Sequence, residues 1–197
     1  PLRVINQDVV QPGGGFGEHG HANMEIISYV LSGELAHKDS EGNESVIRPG
    51  DVQKMTAGTG IRHSEFNHSK QSLVQFLQIW VVPDQVNVAP GYVQKHFAGL
   101  LEPAEAPTLI FSPYGEGESL RIYQDVSVLA GKLVNDSHWQ YAGNQNRIGW
   151  LQVVEGSAQV NGETVSAGDG VAFVAGEAVE VSKTNDLHIL YFDLPAK

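Results

Sequence analysis

The two ends of this chain resemble each other, and that likeness constrains the fold more than any other feature. "YVLSGELAHKDSEGNESVIRPGDVQKMTAGTGIRHSEFN", followed by "FLQIWVVP", has a shorter echo in "QVVEGSAQVNGETVSAGDGVAFVAGEAVEVS", followed by "ILYFDLP". Each copy runs strand, Gly (Gly33 or Gly156), hairpin, a Gly-Asp turn (Gly50-Asp51 or Gly168-Asp169), strand, loop and a closing strand that ends in Pro. The economical reading is one β-unit present twice. Short Val-, Ile-, Leu-, Tyr- and Trp-rich runs recur throughout, separated by "PGGG", "SEGN", "RPGD", "VNGE" and "SAGD". Close, regular turn signals between such runs predict antiparallel sandwiches or barrels, and no long amphipathic helix is expected. Two β-barrel domains follow, residues 1–100 and 115–197, joined by a connector over 101–114 with room for a short helix.

With 41% apolar and 18% charged residues, the chain has the composition of a packed, turn-rich protein rather than a disordered one. A net charge of −11 and the absence of any Lys/Arg cluster argue against direct binding to nucleic acid or to an anionic membrane. There is no cysteine, so there is no disulfide framework and any metal must be held by His and carboxylates. No apolar run approaches the ~20 residues of a membrane span, and the expected location is the cytoplasm. The chain opens on Pro1 and enters a strand-like "LRVI" at once, so a preceding segment is expected.

"GEHGHANMEI" places His19 and His21 one residue apart. On a strand, alternate side chains share a face, which sets the two about 7 Å apart at Cα, a chelating distance. "GIRHSEFN" repeats the spacing with His63 and Glu65. A lone H-x-H among glycines is ordinarily solvent-facing; the second pair, placed after a Gly-Asp turn, changes the balance. If both pairs face the inside of one barrel, three imidazoles and a carboxylate converge, enough for a first-row transition metal with positions left open. In the second copy the places level with His19 and His21 fall near Ala142 and Asn144, and "EAVEVS" stands where His63 would be, so one metal site is expected, in the first barrel.

Other residues carry less. His37 and His68 lie in polar hairpin or loop contexts and read as solvated; His96, His138 and His188 sit alone in the connector or the second barrel. Gly33, Gly50, Gly58 and Gly60 read as turn residues needing positive φ, and "GTG" is no phosphate loop because no Lys-Ser/Thr follows. Met55, Phe76, Ile79 and Trp80 read as lining the first barrel.

"GGGFGEHGHANMEIISYVLSG" and "GDVQKMTAGTGIRHSEFN" resemble the two motifs of the cupin superfamily, and "PLRVINQDVV", "MTAGTGIRHSE" and "QIWVVP" resemble the pirin family in particular, over essentially the whole chain. The resemblance implies an all-β bicupin, two antiparallel jelly-roll-like barrels in tandem. It implies one metal, most simply Fe(II), with Mn, Co, Ni, Cu or Zn as substitutes, held by His19, His21, His63 and Glu65. The general cupin pattern uses a glutamate just after H-x-H, here Glu25; pirin-like proteins use the H-x-E glutamate, so Glu65 ranks above Glu25, which reads as a strand-face carboxylate. Pirins also carry several tens of residues before "PLRVIN", including a strand and part of the pocket wall.

For bacterial proteins of this kind the resemblance implies quercetin 2,3-dioxygenase activity. A flavonol is deprotonated and opened by O2 with release of carbon monoxide, and Glu65 is the base. The competing implication comes from animal pirin: a redox-sensitive, metal-binding regulator acting through a protein partner. A sugar-phosphate isomerase on the cupin fold is disfavoured by the lack of a basic cluster for the phosphate.

Overall fold

The computed structural model describes residues 1–196, which divide into two compact units, Pro1–Ala98 and the chain from Gly99 onward. The first contains β1 (Leu2–Val10), β2 (Gly15–His21), β3 (Glu25–Ser32), β4 (Leu35–Asp39), β5 (Glu44–Ile47), β6 (Asp51–Thr56), β7 (Ile61–Asn67), β8 (Val74–Val81) and β9 (Gly91–His96). They form a five-stranded sheet, β1-β8-β3-β6-β9, and a four-stranded sheet, β2-β7-β4-β5, with all strand pairs antiparallel.

Period-two alternation decides what each strand of this unit sends inward. Along β7, Ile61, His63, Glu65 and Asn67 are buried while Arg62 and Phe66 are exposed; along β4, Leu35, His37 and Asp39 are buried. Two apolar clusters fill the interior. One is Val30, Leu35, Ile47, Val74 and Phe76; the other is Ile26, Met55, Ala57 and Ile61, with Trp80 packed against it. Ser28 falls between them on the same face of β3, so the polar site occupies the middle of the barrel. Phe76 and Trp80 share the inner face of β8 with Gln78, whereas Ile79, expected beside them, points to the opposite face because it is one residue out of phase.

The second unit contains β10 (Thr108–Ser112), β11 (Leu120–Arg121), β12 (Ser127–Lys132), β13 (Trp139–Tyr141), β14 (Arg147–Val160), β15 (Glu163–Ser166), β16 (Gly170–Phe173) and β17 (Val179–Pro195). Its sheet runs β11-β10-β12-β17-β14-β15, with β13 added to β17 and β16 to β14. The long β14–β17 ribbon shifts register between Val153 and Gln159, and Lys183 and Asp186 have positive φ, which lets single strands serve two faces of one barrel. Its core includes Trp139, Leu151, Val153, Val179, Val181, Ile189 and Tyr191. The 101–114 stretch, read from sequence as connector, contains β10, which pairs with β12; there is no helix among the described residues. Pro103 and Pro107 lack the N–H that would extend a strand or helix through the preceding turns, and strand geometry begins directly after them.

The duplication is visible in backbone detail. Gly33 and Gly156 have φ of +77° and +75°, and a Cβ would lie 2.4 Å from the Leu73 carbonyl oxygen in one case and 2.3 Å from that of Asp186 in the other. After Gly50, Asp51 Oδ2 accepts the Arg48 amide; after Gly168, Asp169 Oδ2 accepts the Ser166 amide. Counting from those turns, Ile61 and Val179 hold the same place, as do His63 and Val181.

Candidate metal centre

The H-x-H pair sits at the end of β2 and the H-x-E pair in the middle of β7. In the β2–β7 ladder His19 is directly opposite His63, and His21 is opposite Ile61. The three imidazoles therefore meet: ring centroids are 4.5 Å apart for His19–His63, 4.8 Å for His19–His21 and 5.0 Å for His21–His63. One nitrogen from each lies within 4.8 Å of the others. Ligand atoms around a single first-row ion sit about 3–4 Å apart, so a small contraction completes the set.

Glu65 is buried beside His63 but turned toward the five-stranded sheet. Ser28 Oγ donates to its Oε1 at 2.8 Å, and Gln78 Nε2 donates to its Oε2. Its nearest grouping is with His63 and His37, whose candidate ligand atoms also lie within 4.8 Å of one another. His63 thus belongs to both groups. Burial pushes the Glu65 carboxyl up, opposed by the Ser28 hydrogen bond and the His37 charge.

Whether these residues suit a metal is decided by their protonation and by what their nitrogens lack. Burial, then the charges of His19, His21 and His37, lower His63 to about 3, so it stays neutral at any ordinary pH. Both of its ring nitrogens are buried with no hydrogen-bond partner among the described residues. A buried imidazole with two idle nitrogens is costly unless something takes a lone pair. The His19 Nδ1 donates to the Gly17 carbonyl at 2.8 Å, which leaves Nε2 with the free pair, the usual arrangement behind a metal-ligating histidine. Burial, and secondarily His19, lower His21 as well. The donor set fits a divalent transition metal.

Access is graded. His63 and Glu65 are buried, while His19 and His21 are half-buried and open the cluster on their side. Trp80 packs edge-on against His21 at 5.0 Å and walls that approach.

Several other histidines differ from their sequence expectations. His37 is not solvated: it is 1% exposed, directly opposite Glu65 in the β4–β7 ladder, and bonded through Nε2 to Asp39 Oδ2 at 3.1 Å. Asp39 stands opposite His63. Burial alone would raise Asp39, but hydrogen bonds from His37 and Asn43 bring it below its usual value. The available signal was phase, since His37 lies two residues from Leu35 on an alternating strand. His96 belongs to β9 of the first unit and pairs with Asp51 at 2.9 Å. His188 is buried near Glu155. His138 bonds Glu180 at 3.0 Å, and His68 is exposed. Glu25 lies on the face of β3 opposite Ser28 and takes an ion pair from Lys54 at 2.6 Å, away from the imidazoles. Ser28, Gln78 and Asp39 were not singled out in the sequence; their roles come from strands far apart in the chain.

The ladders also correct which residues replace the histidines in the second barrel. Trp139 is opposite Val181 and Tyr141 opposite Val179, as His19 is opposite His63 and His21 opposite Ile61. Trp139 and Tyr141, not Ala142 and Asn144, are therefore level with the H-x-H pair. The expected alignment missed by three residues because it was counted through a loop whose length differs between copies.

Two cupin barrels in tandem along the chain, one with a cluster of His19, His21 and His63 and the other with Trp139, Tyr141 and Val181 at that level, define a bicupin. The pirin family model matches residues 2–81, and the model described as the quercetinase C-terminal cupin domain matches residues 109–194. The chain belongs to the pirin family. It is 39% identical over 194 residues to a quercetin 2,3-dioxygenase of Escherichia coli K12, covering 98% of this chain and 82% of that protein. A pirin-like protein of Caulobacter vibrioides is 33% identical over 192 residues, again covering 98% and 82%. The crystal structure of the E. coli bacterial pirin YhhW in complex with nickel(II) superposes with a TM-score of 0.93 at 38% identity, covering 100% of this chain and 83% of that one.

Proposed function

We propose that this protein is a metal-dependent dioxygenase that opens a flavonol such as quercetin with O2 and releases carbon monoxide. The observation that carries the reading is His63: a neutral, buried imidazole with both nitrogens idle, flanked by two half-buried imidazoles on one side and a buried carboxylate on the other. The relatives named for quercetin 2,3-dioxygenase activity support the substrate class. His19, His21, His63 and Glu65 are the residues that would hold the metal, and Fe(II) is the metal we assign, although the same donors accept Mn, Co, Ni or Cu.

When bound, the metal acts as a Lewis acid that lowers the pKa of a coordinating flavonol hydroxyl. Glu65 accepts the proton released. Ser28 and Gln78 hold its carboxylate in place while it does so. His19 is fixed by the Gly17 carbonyl and His63 by the packed interior, so neither must reorganise when substrate arrives. The half-buried side of His19 and His21, walled by Trp80, is where a planar aromatic substrate enters.

The test is quercetin consumption with carbon monoxide detection on metal-analysed protein, alongside the His19→Ala/His21→Ala double variant. Metal-dependent turnover that vanishes in the variant is the expected result. Stoichiometric metal without any turnover would overturn the dioxygenase reading and leave regulation through a protein partner.

A further inference from the structure

The second barrel reverses the arrangement of the first. Counting from Gly33 and Gly156, Gly149 stands level with Ile26, and through their ladder partners Asp193 stands level with Trp80. Two large apolar side chains at that level of the first barrel are thus replaced by none at all and by a carboxylate. The result is a cavity of about 320 Å³ lined by Tyr141, Arg147, Gly149, Glu177, Tyr191 and Asp193, among others. Gly149 keeps it open: a Cβ there would lie 2.6 Å from the Tyr191 hydroxyl. Deeper in, Trp139 stacks edge-on against Tyr191 at 5.7 Å and seals the barrel where the first one has its histidines.

The polar groups at this mouth are held by one another. Tyr141 Oη donates to Asp193 Oδ2 at 2.8 Å, and Arg147 Nε donates to Asp193 Oδ1 at 2.9 Å. Arg147 also donates to Asp125 Oδ2 at 2.6 Å. Arg147 is therefore committed to two carboxylates, and with Glu177 on the rim the lining is net acidic, which disfavours an anion. A carboxylate has about four acceptor positions, so Asp193 keeps roughly two for incoming hydroxyl groups. Burial pushes Tyr141 up to about 12, with Asp193 adding to it, and raises Tyr191 too, so both phenols stay protonated; the Tyr141 hydrogen is committed to Asp193, and the Tyr191 hydroxyl is the one left to donate. The two tyrosine rings, 4.8 Å apart, offer apolar faces beside these groups.

We propose that the C-terminal barrel is a second, metal-free binding site for an uncharged six-membered ring carrying adjacent hydroxyl groups, whether a sugar or a catechol. Neighbouring hydroxyls donate to Asp193 and accept from Tyr191, and the ring face lies on tyrosine. The cavity is at the small end of the range for small-molecule sites, which fits one ring rather than three.

The test is calorimetric titration of the metal-loaded protein with D-glucose, with catechol and with inorganic phosphate. It is repeated on Tyr191→Phe, Gly149→Ala and the His19→Ala/His21→Ala double variant, each checked for a cooperative melt. Glucose or catechol is expected to saturate one site with a Kd on the order of 1 mM, and the arm that responds identifies the source. Tyr191→Phe, which removes only a hydroxyl, should weaken binding about three- to tenfold, and Gly149→Ala should weaken it further. The histidine variant should bind as the parent does. The proposal is overturned if neither ring saturates, if phosphate binds instead, if Tyr191→Phe leaves the affinity unchanged, or if binding disappears with His19 and His21, which would place it at the metal centre.

Discussion

At the level where the first barrel presents His19, His21 and His63, the second presents Trp139, Tyr141 and Val181 on the same two-strand ladder. Beside them, Ser28 and Gln78 of the first barrel face each other across β3 and β8, where Leu151 and Tyr191 do so across β14 and β17. The turn geometry repeats between the copies down to the strained glycines, while the side chains at the level of the imidazoles have been exchanged. A cupin barrel can thus be completed by a metal and the polar groups that hold its ligands, or by close packing of aromatic and branched side chains. In the first barrel the polar groups lie deep; in the second the depths are apolar and the mouth is polar.

The largest expected effect separates the two ways of filling. Trp139→Ala leaves a cavity in a packed core and should cost about 3–5 kcal/mol. The His19→Ala/His21→Ala pair in metal-free protein removes half-buried imidazoles that pack little and should cost less than about 1 kcal/mol. Denaturant unfolding of both variants without metal checks this, and equal losses would break the comparison. Next, Gly33→Ala and Gly156→Ala should be alike, because each puts a Cβ at positive φ against a backbone carbonyl. Left-handed strain and overpacking together suggest about 3 kcal/mol apiece; a large loss at one position with none at the other would show that the copies are not constrained alike.

Ser28→Ala should act in the first barrel alone. It removes a hydrogen bond to a buried carboxylate, worth about 2 kcal/mol, and through Glu65 should weaken metal binding about tenfold or more. Competition with a chelator measures it. The smallest effect is on pH dependence. His63 and His188 have folded values of about 3 and about 4, lowered chiefly by burial, against an ordinary 6.5. The unfolded chain therefore binds protons first as pH falls. Stability is fully present above about 6.5 and declines toward 3 for His63 and toward 4 for His188. Between pH 7 and 5, metal-free His63→Gln should lose less stability than the parent by about 1 kcal/mol after discounting for solvent screening, and His188→Gln should behave similarly. Parallel urea curves at the two pH values decide it.

Much of this was legible because it is local. The Gly-Asp turns, the positive-φ glycines and the period-two placement of His19, His21, His63 and Glu65 are all statements about residues a few positions apart. What escaped is non-local or depends on phase. Ser28 and Gln78 reach Glu65 from other strands, so no spacing in the chain announces them. His37 was hidden by its polar neighbours Lys38 and Asp39, although its alternation with Leu35 turns it inward. Ile79 was misplaced by a single residue of phase. Trp139 was missed as the counterpart of His19 because the loops that follow β13 and β2 differ in length, and only strand pairing restores the register.

The measurement that bears most directly on a single metal centre built from both motifs is metal content per chain, by elemental analysis after loading with Fe(II) or Ni(II), for the parent and for His63→Ala. One ion per chain in the parent and essentially none in the variant is the result expected when His63 joins the H-x-H pair to Glu65. Full occupancy in the folded His63→Ala protein would contradict it, and would mean that the two motifs do not share one metal.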